Sequence, residues 1–134
     1  MSLTLVDTNV LLDLVTNDPR WAQWSIRQLD AAALKGKLAV NAVIYSELSV
    51  RFGRIESLDA FLRDASLELA EIPRAALFLA GKVFARYRRS GGVRTGVLPD
   101  FFIGAHAAVL DLPLLTRDSR RYTTYFPNLM VVAP

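Results

Sequence analysis

The sequence predicts an α/β domain, a parallel sheet with helices on both faces. Three observations carry this. Short apolar runs alternate with segments of helical periodicity along the whole chain. The 134 residues suit a single domain, and no linker, internal repeat or low-complexity tract divides them. A composition of 52% apolar and 22% charged residues belongs to a globular chain with a real core.

The elements follow in order. Residues 3–6 are a short apolar strand, and Asp7-Thr8-Asn9 makes a polar turn into a helix over residues 10–15, with Thr8 or Asn9 available as its cap. After Asn17-Asp18-Pro19 a longer helix spans residues 19–34 and ends at Gly36. Residues 38–40 form the second strand, and Asn41 leads to a helix over residues 43–52 that stops at Gly53. Residues 57–65 make another helix, with Ser57 as its cap. Residues 67–72 alternate apolar and acidic side chains, the period of a strand. Pro73 opens a long helix to Arg89. Residues 90–98 are a loop holding three of the seven glycines. Pro99 and Asp100 start a helix that ends near Leu110. Residues 114–116 are a strand, 117–125 a polar connection and 129–132 a last strand.

Composition narrows the chemistry. With no cysteine, disulfides, thiolate zinc sites and cysteine nucleophiles are excluded. The single histidine, His106, excludes a zinc site built from several imidazoles. Any metal must be held by oxygen, which points to Mg²⁺ or Mn²⁺. The opening residues lack a basic n-region and Asp7 interrupts their apolar run, so no signal peptide is expected. No stretch approaches the roughly 18 apolar residues of a membrane span, so a cytoplasmic protein without a membrane partner is expected. The formal charge is +3, from 16 basic and 13 acidic residues, and 13 of the basic residues are arginine. This permits a polyanionic partner without demonstrating one.

In open parallel sheets, sites form at the carboxyl ends of the strands. Asp7 stands at the end of the first strand. Asp118 lies two residues past the strand ending at Thr116. Asp100 is in the first turn of a helix, and Glu47 lies about one turn into the helix after the second strand. The surroundings are unusual for surface acids. Asp7 is bracketed by Leu5, Val6 and Val10, and Glu47 lies beside Val43, Ile44 and Val50 at helical spacing. Asp100 is followed by Phe101, Phe102 and Ile103, and Gly104 one turn on leaves room for another group to approach. A carboxylate in such places needs a partner, because burying a bare charge is costly. Few basic residues adjoin these acids in sequence, and a divalent cation would serve. Each residue also has a plainer reading: Asp7 as a helix cap, Glu47 as a solvated side chain, Asp100 as a charge favoured by the helix dipole, Asp118 as a turn residue. The joint pattern favours metal-assisted hydrolysis, which needs neither a histidine base nor a side-chain nucleophile.

The motifs resemble those of the PIN-domain ribonucleases, specifically the VapC-type toxins of bacterial toxin–antitoxin pairs. The segment LVDTNVLLDL is similar to the family's first motif and carries Asp7. VNAVIYSELS resembles the second and carries Glu47. LPDFFIGAHA resembles the third and carries Asp100. LLTRDSRRYTTYFP resembles the fourth and carries Thr116, Asp118, Tyr122 and Phe126. The resemblance covers nearly the whole chain in the family's order; the stretch from Arg54 to Val97 is its least diagnostic part. It implies a three-layer α/β/α domain with a mostly parallel sheet, and Mg²⁺- or Mn²⁺-dependent endoribonuclease activity. It implies that Asp7, Glu47, Asp100 and Asp118 ligate the metal or orient its water, with Thr116 and Asn9 in support. It also implies a homodimer and a cognate antitoxin.

Other residues carry weaker signals. Arg86, Arg88, Arg89 and Arg94 flank the glycine-containing loop before Asp100, and Arg117, Arg120 and Arg121 flank Asp118. RNA phosphate contact and a solvated basic face are both open readings of these arginines. His106, six positions past Asp100, points away from it on an ideal helix, so packing is expected of it rather than catalysis. Trp21 and Trp24 fit either core packing or a partner groove. Two other functions compete. A PIN-like domain that binds RNA or protein without cutting would normally have lost an acidic residue, and all four are present. A phosphatase with an aspartate nucleophile would want a second Asp where Asn9 stands, and a phospho-accepting receiver a late lysine, whereas the last one here is Lys82.

Overall fold

The computed structural model describes residues 2–94 and 96–134. Its elements run β1 (Ser2–Val6), α1 (Thr8–Val15), α2 (Ala22–Lys35), β2 (Gly36–Val40), α3 (Ala42–Ser49), α4 (Ile55–Asp64), β3 (Leu67–Leu69), α5 (Arg74–Arg89), α6 (Leu98–Leu110), β4 (Leu114–Leu115), α7 (Ser119–Tyr125) and β5 (Val131–Val132). The five strands form one sheet in the order β3-β2-β1-β4-β5. Every pairing is parallel. The expected parallel α/β sheet is therefore present.

The strand order positions the site. From β1 the chain steps outward to β2 and β3, then returns across the sheet to β4 and β5. Right-handed crossovers place helices before and after that return on opposite faces, which makes three layers. Accordingly α1, α2, α3 and α4 pack among themselves, as do α5, α6 and α7, while α3 also touches α6. The point where the order reverses lies between the carboxyl ends of β1 and β4, the crevice that such folds use. The core beneath it is apolar on both sheet faces: Leu5, Val6, Ala39, Val40, Leu114 and Leu115 are buried, with Val10, Leu11, Ile44, Leu48 and Ile103 packed against them.

Several local expectations are corrected. The polar connection over residues 117–125 contains a helix, α7, whose one buried side chain is Tyr122. With no apolar stripe, its helicity is invisible to periodicity. Asp7, rather than Thr8 or Asn9, caps α1 through a bond from the Thr8 N–H. The second helix starts at Ala22 because Asp18 Oδ1 accepts from the Arg20 and Trp21 N–H groups, holding residues 18–21 in a turn. The fourth helix begins at Ile55, ahead of Ser57. The strand expected over residues 67–72 ends at Leu69, although the Ala70 N–H still reaches the Val40 carbonyl at 2.8 Å. Gly36 opens β2, where a Cβ would lie 2.2 Å from the Ser2 carbonyl oxygen; close approach of β1 requires glycine there. No helix among the described residues is long and apolar enough to cross a membrane.

Candidate active site

Asp7 is the buried centre of the crevice. It continues β1 in extended backbone, and its N–H donates to the Leu115 carbonyl at 2.8 Å, tying it to β4. Its carboxylate is only 5% exposed in a shell of donors. Oδ1 accepts the Thr8 N–H at 2.7 Å; Oδ2 accepts the Thr116 hydroxyl and the Tyr122 hydroxyl, each at 2.8 Å, and the Asn9 amide at 3.4 Å. Burial pushes the Asp7 carboxyl above the usual carboxylate range, and the bonds from Thr116, Tyr122 and Thr8 pull it only part of the way back. Burial, then the charges of Asp7 and Asp100, hold the Tyr122 phenol well above its ordinary value, so it stays a proton donor to Asp7.

Glu47 and Asp100 face the same crevice from different layers. Asn41 caps α3 by accepting the Ile44 N–H at 3.0 Å, and α3 carries Glu47. The Thr8 hydroxyl donates to Glu47 Oε1 at 2.6 Å, so one residue of α1 ties Asp7 and Glu47 together. Glu47 is raised by burial, with the Asp7 charge adding to the effect. Asp100, in the first turn of α6, is raised to about 6, chiefly by burial; Asp7 and Glu47 push it up and Arg121 draws it down. The three acids thus feel one another electrostatically.

Asp118 joins through Arg121. The Arg121 guanidinium donates from one terminal nitrogen to Asp100 Oδ2 at 3.0 Å, and its Nε pairs with Asp118 Oδ2 at 2.9 Å. Thr116 organises the loop between them. Its hydroxyl accepts the Asp118 N–H at 3.1 Å and the Asn9 amide at 3.2 Å, while Asn9 Oδ1 accepts the Arg117 N–H at 3.1 Å. Among the described residues, no three acidic or histidine side chains stand close enough to form a ready-made coordination set. The donor set nonetheless fits a hard divalent cation: its ligating atoms are oxygens, and three carboxylates share a crevice in which each is harder to ionise than in water.

The PIN domain family model matches residues 4–127. The chain belongs to the PIN-domain family. No curated protein matches the sequence at a significant level. Solved structures share the fold along the full length. A chain of VapBC2 from Rickettsia felis, bound to a DNA fragment from its promoter, superposes with a TM-score of 0.75 at 18% identity, covering 98% of each chain. DNA-bound VapBC from Salmonella typhimurium gives 0.72 at 20% identity, covering 99% of this chain and 98% of that one. A toxin–antitoxin complex from Klebsiella pneumoniae gives 0.63 at 22% identity, with 98% and 97% covered.

The other residues singled out in this PIN domain have distinct placements. Arg117 pairs with buried Asp13 at 2.8 Å and lies over the Trp21 ring, so its guanidinium braces the β4–α7 loop against α1 and α2. Trp21 and Trp24 are half-buried and meet edge to face at 6.0 Å. Arg86 lies over Tyr125 and Arg88 over Phe84, while Arg89, Arg94 and Arg120 are exposed. His106 is fully buried; the Asn41 amide reaches its Nδ1 at 3.1 Å, and burial lowers its pKa. Since Asn41 Oδ1 is committed to Ile44, its amide nitrogen faces the ring and Nδ1 is the acceptor. The space over Gly104 is filled by Phe126, whose ring carbon would lie 2.4 Å from a Cβ there. The contacts of three residues at the site escaped the sequence reading. Thr8 and Tyr122 bond the acids directly, and Arg121 supplies the basic partner that adjacency in sequence did not.

Proposed function

We propose that this PIN domain is a Mg²⁺- or Mn²⁺-dependent endoribonuclease, the toxin of a type II toxin–antitoxin pair. The observation that carries the reading is the convergence of Asp7, Glu47 and Asp100 at the switch point of a parallel sheet, each raised by burial, with neither Asp7 nor Glu47 ion-paired to a basic side chain among the described residues. Membership of the PIN family and the fold shared with VapBC chains support it. Asp7, Glu47 and Asp100 would hold the cation, with Asp118 at the rim of the site. Such an ion acidifies water for attack and offsets charge on the phosphate.

The chain's own groups set the geometry. The bonds from the Thr8 N–H and the Thr116 and Tyr122 hydroxyls, with a longer one from Asn9, fix the orientation of the Asp7 carboxylate, and the Thr8 hydroxyl restrains Glu47. Arg121, on the exposed side of Asp100, stands where a phosphodiester would enter. The exposed Arg89, Arg94 and Arg120 extend positive charge toward an RNA backbone, with Arg86 and Arg88 beside them. Arg117 contributes by bracing the loop that carries Asp118. A cognate antitoxin, a homodimer and a cytoplasmic location complete the proposal.

The test compares wild type with Asp100→Asn on assorted RNAs with Mg²⁺, Mn²⁺ or EDTA. Metal-dependent cutting that the substitution lowers at least about a hundredfold is expected, the scale of losing a group used in the transition state. Equal cutting by both proteins would sink the site assignment. Binding of RNA without cutting, in every metal, would favour a non-cleaving PIN domain instead.

A further inference from the structure

Arg121 is the one basic side chain among the described residues that ion-pairs with acids of the site, and it uses two different nitrogens to do so. A terminal nitrogen holds Asp100 at 3.0 Å while Nε holds Asp118 at 2.9 Å. The exposures are graded. The Asp100 side chain is 13% exposed, that of Asp118 39% and that of Arg121 58%, so the guanidinium enters from solvent and its far end covers the most buried of the three. The Nε contact is local, three residues apart across the first turn of α7, and Tyr122 next to it anchors that helix through Asp7. The Asp100 contact can therefore break while the Asp118 contact persists. A single positive charge also leaves the cluster under-compensated, since Asp7 and Glu47 still raise Asp100 in its presence.

We propose that Arg121 is the resident counter-ion of the acidic crevice, displaced from Asp100 by the divalent cation and retained at the rim by Asp118. The inference rests on the metal-dependent reading above. In it, Arg121 is a positioning residue: it sets how tightly the cation binds by competing for one carboxylate. Asp118 serves as the pivot that keeps the released guanidinium beside the site.

The experiment measures Mn²⁺ binding to the purified chain, by titration calorimetry and by the spin-resonance signal of free Mn²⁺, with no RNA present. Four proteins are compared: wild type, Arg121→Gln, Arg121→Lys and Arg120→Gln. Arg121→Gln is expected to bind Mn²⁺ roughly fivefold to tenfold more tightly, the scale of removing one competing charge from a partly buried carboxylate. Arg121→Lys, which keeps the charge but cannot bridge two carboxylates, should fall between it and wild type. Arg120→Gln removes the same charge one residue earlier and should change affinity less than about twofold. The metal-free Arg121→Gln protein should also unfold at lower temperature and gain more from Mn²⁺ than wild type does, a pair of shifts that a merely structural arginine would not produce. Unchanged or weaker binding by Arg121→Gln overturns the counter-ion role, as does an equal gain in Arg120→Gln. Absence of Mn²⁺ binding in all four proteins overturns the metal-dependent reading as well, whereas binding by Arg121→Gln alone supports the competition directly.

Discussion

Tyr122 bears no charge at neutral pH and yet touches Asp7 at the same distance as Thr116 does. Its hydroxyl satisfies a carboxylate that burial makes costly, so Tyr122→Phe should leave the packing intact and remove one charge-assisted bond. A loss of about 1–3 kcal/mol in urea unfolding is expected, together with weaker Mn²⁺ binding, because Asp7 would then resist ionisation further. An unchanged unfolding midpoint would show that Thr116 and the Thr8 N–H suffice. The acids at this site were legible in the sequence, and the reason is physical: Asp7, Glu47 and Asp100 stood among apolar neighbours that made them expensive, and these three and Asp118 fell in recognisable motifs. Of their donors, Thr116 and Asn9 were expected in support through the motifs, but the bonds from Thr8 and Tyr122 were not. Tyr122 lies 115 residues from Asp7, and nothing local to a hydroxyl announces a partner that far along the chain. Arg121 was hidden for the same reason, since its longer-range partner, Asp100, lies 21 residues away.

Among the elements, those with strong periodicity were read correctly in kind, while β3, β4 and β5 came out shorter than expected and β1 and β2 longer. The α5 helix, opened by Pro73 and running to Arg89, matches the reading closely. The α7 helix was missed because its residues are polar on every face but one, and Tyr122 alone cannot make a stripe. The short β4 and β5 owe their existence to pairing with β1 and each other, a tertiary fact. Asn41 shows how one residue couples elements. It caps α3, which carries Glu47, and it bonds His106 on α6, which carries Asp100. Asn41→Ala should therefore remove a cap and leave a buried imidazole without its partner, at a combined cost of about 2–4 kcal/mol in unfolding. If His106→Phe or His106→Leu then restores most of that loss in the double variant, the buried polar bond accounts for it; if not, the cap dominates.

At the scale of the whole molecule, a chain with a net charge of +3 gathers buried Asp7 and half-buried Glu47 and Asp100 in one crevice. That arrangement ties stability to pH and to metal. Asp100 is raised from 3.8 to about 6 on folding. Between those values the folded chain holds more protons than the unfolded one, so the contribution of Asp100 to stability is present at low pH and is lost as pH rises toward 6 and beyond. Asp7 and Glu47 are raised too and act in the same direction. His106 acts in the opposite direction, because its lowered pKa makes the folded chain lose stability as pH falls below 6.5. The difference between wild type and Asp100→Asn cancels the histidine and isolates the acids. In EDTA, Asp100→Asn should match wild type near pH 4 and become more stable than it by about 1–2 kcal/mol at pH 7, a value held down by solvent on the Arg121 side. Millimolar Mg²⁺ should reverse the order at pH 7, because a cation stabilises only the chain that offers it the full carboxylate set. Urea unfolding of both proteins across pH 4–8, with and without Mg²⁺, tests the account; a wild type that is the more stable protein at pH 7 in EDTA would mean that Arg121 alone neutralises Asp100, and the need for a divalent charge at this crevice would fall with it.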